Sequence, residues 1–279
     1  MIISASRRTD IAAFYSQWFF NRIKAGFVMT RNPRNPNQVR KIDLGRDAVE
    51  SIVFWTKNPI PMLGRFNELD GYNCRFQFTI TPYGKDIESN LPPKAELLSA
   101  FGRLSEKIGA DRIVWRYDPI LINAKYSADY HMRAFEKMAK ELQGFTRKVT
   151  ISFIDTDYRG VAANLKELAL SDFPLQTRVE IAAKLAEVAR GFDMAMDACA
   201  VPFDLTQYGI RPARCIEADK PDTAKDKNQR PLCGCAASVD IGAYNTCKTG
   251  CRYCYANYNP RTVAGNFRRH NPQSPFIKD

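Results

Sequence analysis

Two hydrophobic periods alternate along this chain. Short apolar runs recur at residues 1–6 (MIISAS), 50–59 (ESIVFWTKNP), 74–84 (CRFQFTITPYG), 111–120 (DRIVWRYDPI), 147–157 (RKVTISFIDTD) and 193–201 (DMAMDACAV). In the third, Phe76, Phe78 and Ile80 alternate with Gln77, Thr79 and Thr81, which is the period of a strand. The segments 7–27, 92–109, 127–145 and 174–192 carry helical spacing instead. Asp10 stands where an N-cap belongs, and Gly26 where a helix ends. The helix of 92–109 opens on proline and closes on glycine. Strands that alternate with helices predict parallel βαβ units. The runs SIVFW and RIVW are almost continuously apolar, as in strands covered on both faces.

Each apolar run ends in a polar cluster, at residues 4–10, 56–58, 79–83, 116–118, 155–157 and 197. Barrel enzymes carry functional side chains at the C-terminal ends of their strands, so these clusters would converge on one mouth. The expected fold is therefore α/β, a partial or full TIM-like (β/α) barrel with residues 1–205 as its body. An open doubly wound sheet is the alternative. A polar cluster taken alone would mark a loop; the barrel argument rests on all six runs behaving alike.

After residue 205 the periodicity fades. Residues 206–279 are polar, charged and rich in cysteine, with one short possible strand at ASVDIG (237–242). A bound metal would order a segment with so little apolar surface of its own.

Composition narrows the setting. The chain has 279 residues, 45% hydrophobic and 25% charged, which suits a globular protein. No run of eighteen apolar residues predicts a membrane span, and MIISASRRTD lacks the order of a signal peptide. A cytoplasmic protein is expected. The formal net charge of +11 fits an anionic partner such as nucleic acid. The basic residues of RNPRNPNQVRK, KDKNQR and NFRRH are scattered, however, and a solvated basic surface explains them as well.

Five of the eight cysteines fall between residues 233 and 254. In a reducing compartment such clustering argues for metal over disulfides. Cys247, Cys251 and Cys254 stand in a C-x3-C-x2-C spacing. A ferredoxin-type cube takes four thiolates; three leave one iron without a protein ligand. A zinc site from Cys251 and Cys254 with Cys233 and Cys235 is the other arrangement.

The three-cysteine spacing, with Tyr253 before the third cysteine and Tyr255 after it, resembles the cluster loop of radical S-adenosylmethionine enzymes. The stretches ISASRRTDI, FWTKNP, FQFTITPYG, WRYDPI, ISFID and DIGAYNTCKTGCRYCYAN resemble a bacterial family known as a domain of unknown function that carries this motif at its C-terminal end. The resemblance implies that Cys247, Cys251 and Cys254 ligate three irons of a 4Fe–4S cluster, with S-adenosylmethionine on the fourth. Reductive cleavage would yield a 5′-deoxyadenosyl radical that abstracts hydrogen from a substrate. An electron donor such as flavodoxin or ferredoxin would be needed. The superfamily usually carries this loop after its first strand. Here it follows the last one, as in a permuted barrel whose first and last strands are neighbours.

Cys215, Cys233 and Cys235, with Cys199 as a fourth, read as a second metal centre, either iron–sulfur or zinc. Isolated loop thiols are the alternative. Cys74 opens a strand and reads as core. Arg7 and Arg8 are candidate cofactor-binding residues with Tyr253 and Tyr255. Lys57, Arg116, Asp118 and Asp155 are candidate catalytic residues at strand ends. The substrate class is open, and an anionic molecule or a nucleic acid fits the charge. Two other functions fit the cysteines: a basic nucleic-acid-binding protein stabilised by zinc, and an iron–sulfur electron carrier.

Overall fold

The computed structural model describes residues 1–156, 162–171, 173–219 and 222–278. The chain runs β1 (Ile2–Ala5), α1 (Ile11–Phe14), α2 (Ser16–Ala25), β2 (Phe27–Asn32), β3 (Asn35–Asp43), β4 (Ser51–Thr56), α3 (Ile60–Leu63), β5 (Cys74–Thr79), α4 (Lys94–Ile108), β6 (Ile113–Ile120), α5 (Ala128–Leu142), β7 (Lys148–Phe153), α6 (Ala162–Glu167), α7 (Leu175–Gly191), β8 (Ala195–Ala198), β9 (Arg211–Pro212), β10 (Val239–Asp240) and α8 (Pro260–Arg269). All six apolar runs form strands. The expected helix over 7–27 is two helices broken at Tyr15.

Eight strands form one parallel sheet in the order β10-β1-β4-β5-β6-β7-β8-β9. This α/β sheet is open: β9 and β10 are its edges and do not pair. A closed barrel would need those edges to meet, and each is a strand of two residues. The order still places the last strand beside the first, so the loop after β10 lies next to the loop after β1. Segment 206–279 therefore supplies both edges of the sheet that the first 205 residues build.

Side chains alternate strictly across this sheet. Ile52, Phe54, Phe76, Phe78, Trp115, Tyr117, Val149 and Ile151 face the main core and its helices. Phe54 stacks on Phe76 with centroids 4.7 Å apart, Phe78 on Phe101 at 5.2 Å, and Trp115 on Phe135 at 4.7 Å. Such pairs add about 0.5–1.5 kcal/mol each beyond their buried area. Trp115 also donates its indole N–H to Ile80 O, so it is a core residue. The opposite face is buried but polar, with Ser4, Ser51, Gln77, Arg116, Thr150 and Asp197. A small cluster of Ile2 and Val53 with Ala213, Cys215, Ile216, Cys233, Cys235 and Ala236 covers it.

His131, in α5, is buried and neutral. Desolvation pushes its pKa down to about 4, and its ring nitrogens meet Tyr117 Oη at 2.7 Å and Leu121 O at 2.9 Å. Tyr117 is thereby tied into the core. Among the described residues no helix is long and apolar enough to cross a membrane.

Candidate functional site

The cysteine loop is built on Asp240, the last residue of β10. Register pairs Ser4 with Asp240. The Asp240 carboxylate accepts hydrogen bonds from Ser4 Oγ (3.0 Å), Ser6 Oγ (2.7 Å), the Arg7 N–H (2.8 Å), Arg8 Nε (3.2 Å) and the Gly242 N–H (3.0 Å). One side chain thus fastens the turn after β1 to the turn after β10. A Cβ on Gly242 would run into Ser6 and Thr9, so only glycine lets the two turns approach this closely. Thr9 and Thr246 share a hydrogen bond of 2.6 Å, and Tyr15 Oη donates to Thr246 O. From outside, α8 leans on the loop: Asn266 Nδ2 donates to Asn245 O, and Phe267 packs on Tyr15.

On its other side the loop docks against the turn after β5. Cys251 forms a β-bridge with Glu88, Arg252 N–H donates to Ile87 O, and Asn90 N–H donates to Thr249 O. Glu88 is 1% exposed. Its carboxylate accepts from Lys57 Nζ (2.8 Å), Lys94 Nζ (2.8 Å), Thr81 Oγ1 (2.7 Å) and Tyr253 Oη. Burial alone would raise the Glu88 pKa; the two ammonium groups outweigh it and hold it down to about 2. Two cations on one carboxylate leave net positive charge beside Cys251.

The thiols of Cys247, Cys251 and Cys254 sit between these two walls. Burial pushes Cys247 up to about 12, helped by the charge of Asp10, and raises Cys251 and Cys254 also. Asp10 caps α1 through the Ala13 N–H as the sequence predicts, and it also accepts from Thr56 Oγ1 and the Lys57 N–H, both at 2.7 Å. Desolvated, half-buried thiols of this kind are protonated unless a cation stabilises the thiolate. Among the described residues their sulfurs make no hydrogen bonds to one another; Cys247 Sγ lies 3.2 Å from Thr249 Oγ1.

Cys199, Cys215, Cys233 and Cys235 form a second set, on the polar face of the sheet. Cys215 Sγ lies 3.8 Å from Cys199 Sγ. Cys215, Cys233 and Cys235 share one buried cluster, with Cys199 packed against it. The hydrogen bond with Cys215 and the charge of Arg116 pull the Cys199 pKa down to about 6 against its burial. Among the described residues, no group of three or more His, Cys, Asp or Glu side chains already stands in a metal-holding arrangement.

The expected site residues divide between the two sets. Lys57, Tyr253 and Tyr255 belong to the first; Tyr255 Oη donates to Arg7 O. Arg8 is held by Asp240. Arg7 turns the other way, toward Ser238, Asp226 and the ring of Trp55. Arg116 is buried against the second set, donating to Cys215 Sγ at 2.9 Å, Gln77 Oε1 at 3.2 Å and the Asp118 carboxylate. Asp118 also accepts from Ser152; burial would raise its pKa, but the Arg116 charge, with Ser152 and Lys57 helping, holds it down. Asp155 pairs with Arg230 at 3.4 Å, while Asp157 lies outside the described residues. Asp197 is the exception among the strand ends: Lys148 and Arg211 take its carboxylate. Glu88, Lys94 and Asp240 were not singled out by sequence. Glu88 lies in a turn, Lys94 at the start of a helix and Asp240 in a short strand, and only their tertiary partners give them a role.

Fold and site define an α/β protein with an open parallel sheet and two cysteine sets along the C-terminal edge and polar face of its strands. The chain belongs to the family described as Domain of unknown function (DUF1848), which matches residues 2–256. That match runs from β1 to two residues past Cys254. No curated protein matches the chain.

Proposed function

We propose that this protein is a cytoplasmic radical S-adenosylmethionine enzyme. The observation that carries the reading is the placement of a three-cysteine loop, with its cysteines half-buried, at the carboxyl ends of parallel strands, where open α/β sheets bind ligands. The donor set fits a 4Fe–4S cluster: three thiols that burial keeps from ionising alone, and two lysine ammonium groups beside them to offset the charge of thiolates. Cys247, Cys251 and Cys254 would hold the cluster. When bound, the cluster with S-adenosylmethionine supplies one-electron cleavage of the sulfonium and a 5′-deoxyadenosyl radical for hydrogen abstraction.

The chain's own residues supply position and exclusion of water. Asp240 and Thr9 hold one side of the loop to the turn after β1. Glu88 holds the other side and orients Lys57, Lys94 and Tyr253. Lys57 and Asp118 present charge at the ends of adjacent regions of the sheet, where a polar substrate group would be met. A flavodoxin or ferredoxin would deliver the electron. The reading predicts that dithionite-reduced protein shows the paramagnetic resonance spectrum of a reduced 4Fe–4S cluster and that S-adenosylmethionine shifts it. A spectrum indifferent to saturating S-adenosylmethionine contradicts it.

A further inference from the structure

We infer that Cys199, Cys215, Cys233 and Cys235 bind a single tetrahedral metal ion, zinc, distinct in kind from the centre proposed at Cys247, Cys251 and Cys254. The argument starts from spacing. A zinc–sulfur bond of about 2.3 Å makes a tetrahedron with edges of about 3.8 Å. Cys199 Sγ and Cys215 Sγ stand 3.8 Å apart, and Cys215, Cys233 and Cys235 share one buried cluster with Cys199 packed against it. An iron–sulfur cube spreads its thiolates wider, because each caps a different corner.

The surroundings carry the charge argument. Four thiolates on one divalent ion leave a net charge of minus two. Binding releases the protons that the four sulfurs still carry at the working pH. The resulting dianion needs buried cations and N–H donors. Arg116 is 4% exposed and already donates to Cys215 Sγ at 2.9 Å. Arg7, whose guanidinium lies over the Trp55 ring, feels the charge of Cys235. Trp55 lies between them, with each guanidinium 5.1 Å from its ring. Among the buried donors, Arg7 Nη2 and Trp55 Nε1 have no hydrogen-bond partner. Unsatisfied buried donors are costly, and in one layer beside four thiols they suit sulfur carrying negative charge.

The same site explains how residues 213–219 and 222–236 stay on the sheet. Among the described residues, their apolar contribution to that cluster apart from the cysteines is Ala213, Ile216, Ala236 and the partly buried Ala218, while Leu232 is 54% exposed. A zinc ion that ties Cys215, Cys233 and Cys235 to Cys199, just beyond β8, pins the segment where apolar burial is thin.

The full chain, reconstituted and then stripped of loosely held metal by a chelator, is expected to keep about one zinc per chain, the stoichiometry of one tetrathiolate site. A thiol-reactive mercurial should release that zinc, read with a chromogenic dye. Cobalt in place of zinc should give the intense sulfur-to-cobalt bands of a tetrahedral thiolate site. Cys215→Ser and Cys235→Ser should lose the zinc, while the iron that depends on Cys251 is unchanged. Arg116→Gln should speed zinc loss to a chelator by about 10–100-fold, as for other partners outside the ligand set. Retained iron and sulfide that vanish with Cys215→Ser, or recovery of Cys199 and Cys215 as a disulfide, would overturn the inference. If the serine variants do not fold, the wild-type cobalt spectrum decides: absence of thiolate bands defeats the proposal. Because zinc follows Cys215 and iron follows Cys251, failure here is separable from failure of the radical reading.

Discussion

Cys251→Ala is expected to abolish iron binding at the cysteine loop and all S-adenosylmethionine cleavage while leaving the protein folded. The loop is anchored by backbone and by other side chains: Cys251 meets Glu88 through a β-bridge, and Asp240, Thr9 and Asn90 fix the rest. None of those contacts uses the Cys251 sulfur. The substitution therefore removes a ligand without removing its scaffold. Residues that merely orient ligands cost about 10–100-fold when replaced, so loss of a ligand from a set of three should exceed that range. Iron and sulfide content after anaerobic reconstitution checks it, with circular dichroism as the control for folding. Iron equal to wild type in Cys251→Ala would remove the cluster from this loop.

Glu88→Gln should be the most damaging single change to stability near the site. It leaves Lys57 and Lys94 without the carboxylate that both contact at 2.8 Å. Lys57 has a side chain only 13% exposed, so its charge cannot readily turn to water. Breaking a buried ion pair by removing one partner costs about 3–5 kcal/mol. The loss should appear as a lower urea midpoint with an unchanged slope. Adding Lys94→Met should recover part of it, since one stranded cation is then gone. Equal stabilities of wild type and Glu88→Gln would mean that the carboxylate does not bear the two charges in solution.

Much of the sheet was readable from the chain because its strands are short apolar runs with polar ends. The hairpin of β2 and β3 was not, since RNPRNPNQVRK has two prolines and almost no apolar alternation. Its strands exist by pairing with each other, and residues 31–41 are all exposed. Of the two edges, β10 falls inside the short strand expected at 237–242, whereas β9, also two residues long, was hidden. The cysteine spacing carried the site, but its walls did not show. Glu88 lies in KDIESN, which reads as a solvated turn, and becomes buried because Lys57, Lys94 and Tyr253 arrive from three other segments. Arg116 and Asp118 lie within β6, which runs on to Ile120 past the strand end expected at 116–118. Their alternation along β6 aims them at the polar face, so Arg116 meets Cys215 rather than the three-cysteine loop.

The most direct measurement is the product of reductive cleavage. Protein reconstituted with iron and sulfide without oxygen, given a reductant and S-adenosylmethionine, should form 5′-deoxyadenosine and methionine, with formation lost in Cys251→Ala. A protein that holds a full cluster on Cys247, Cys251 and Cys254 and forms neither product would contradict the account.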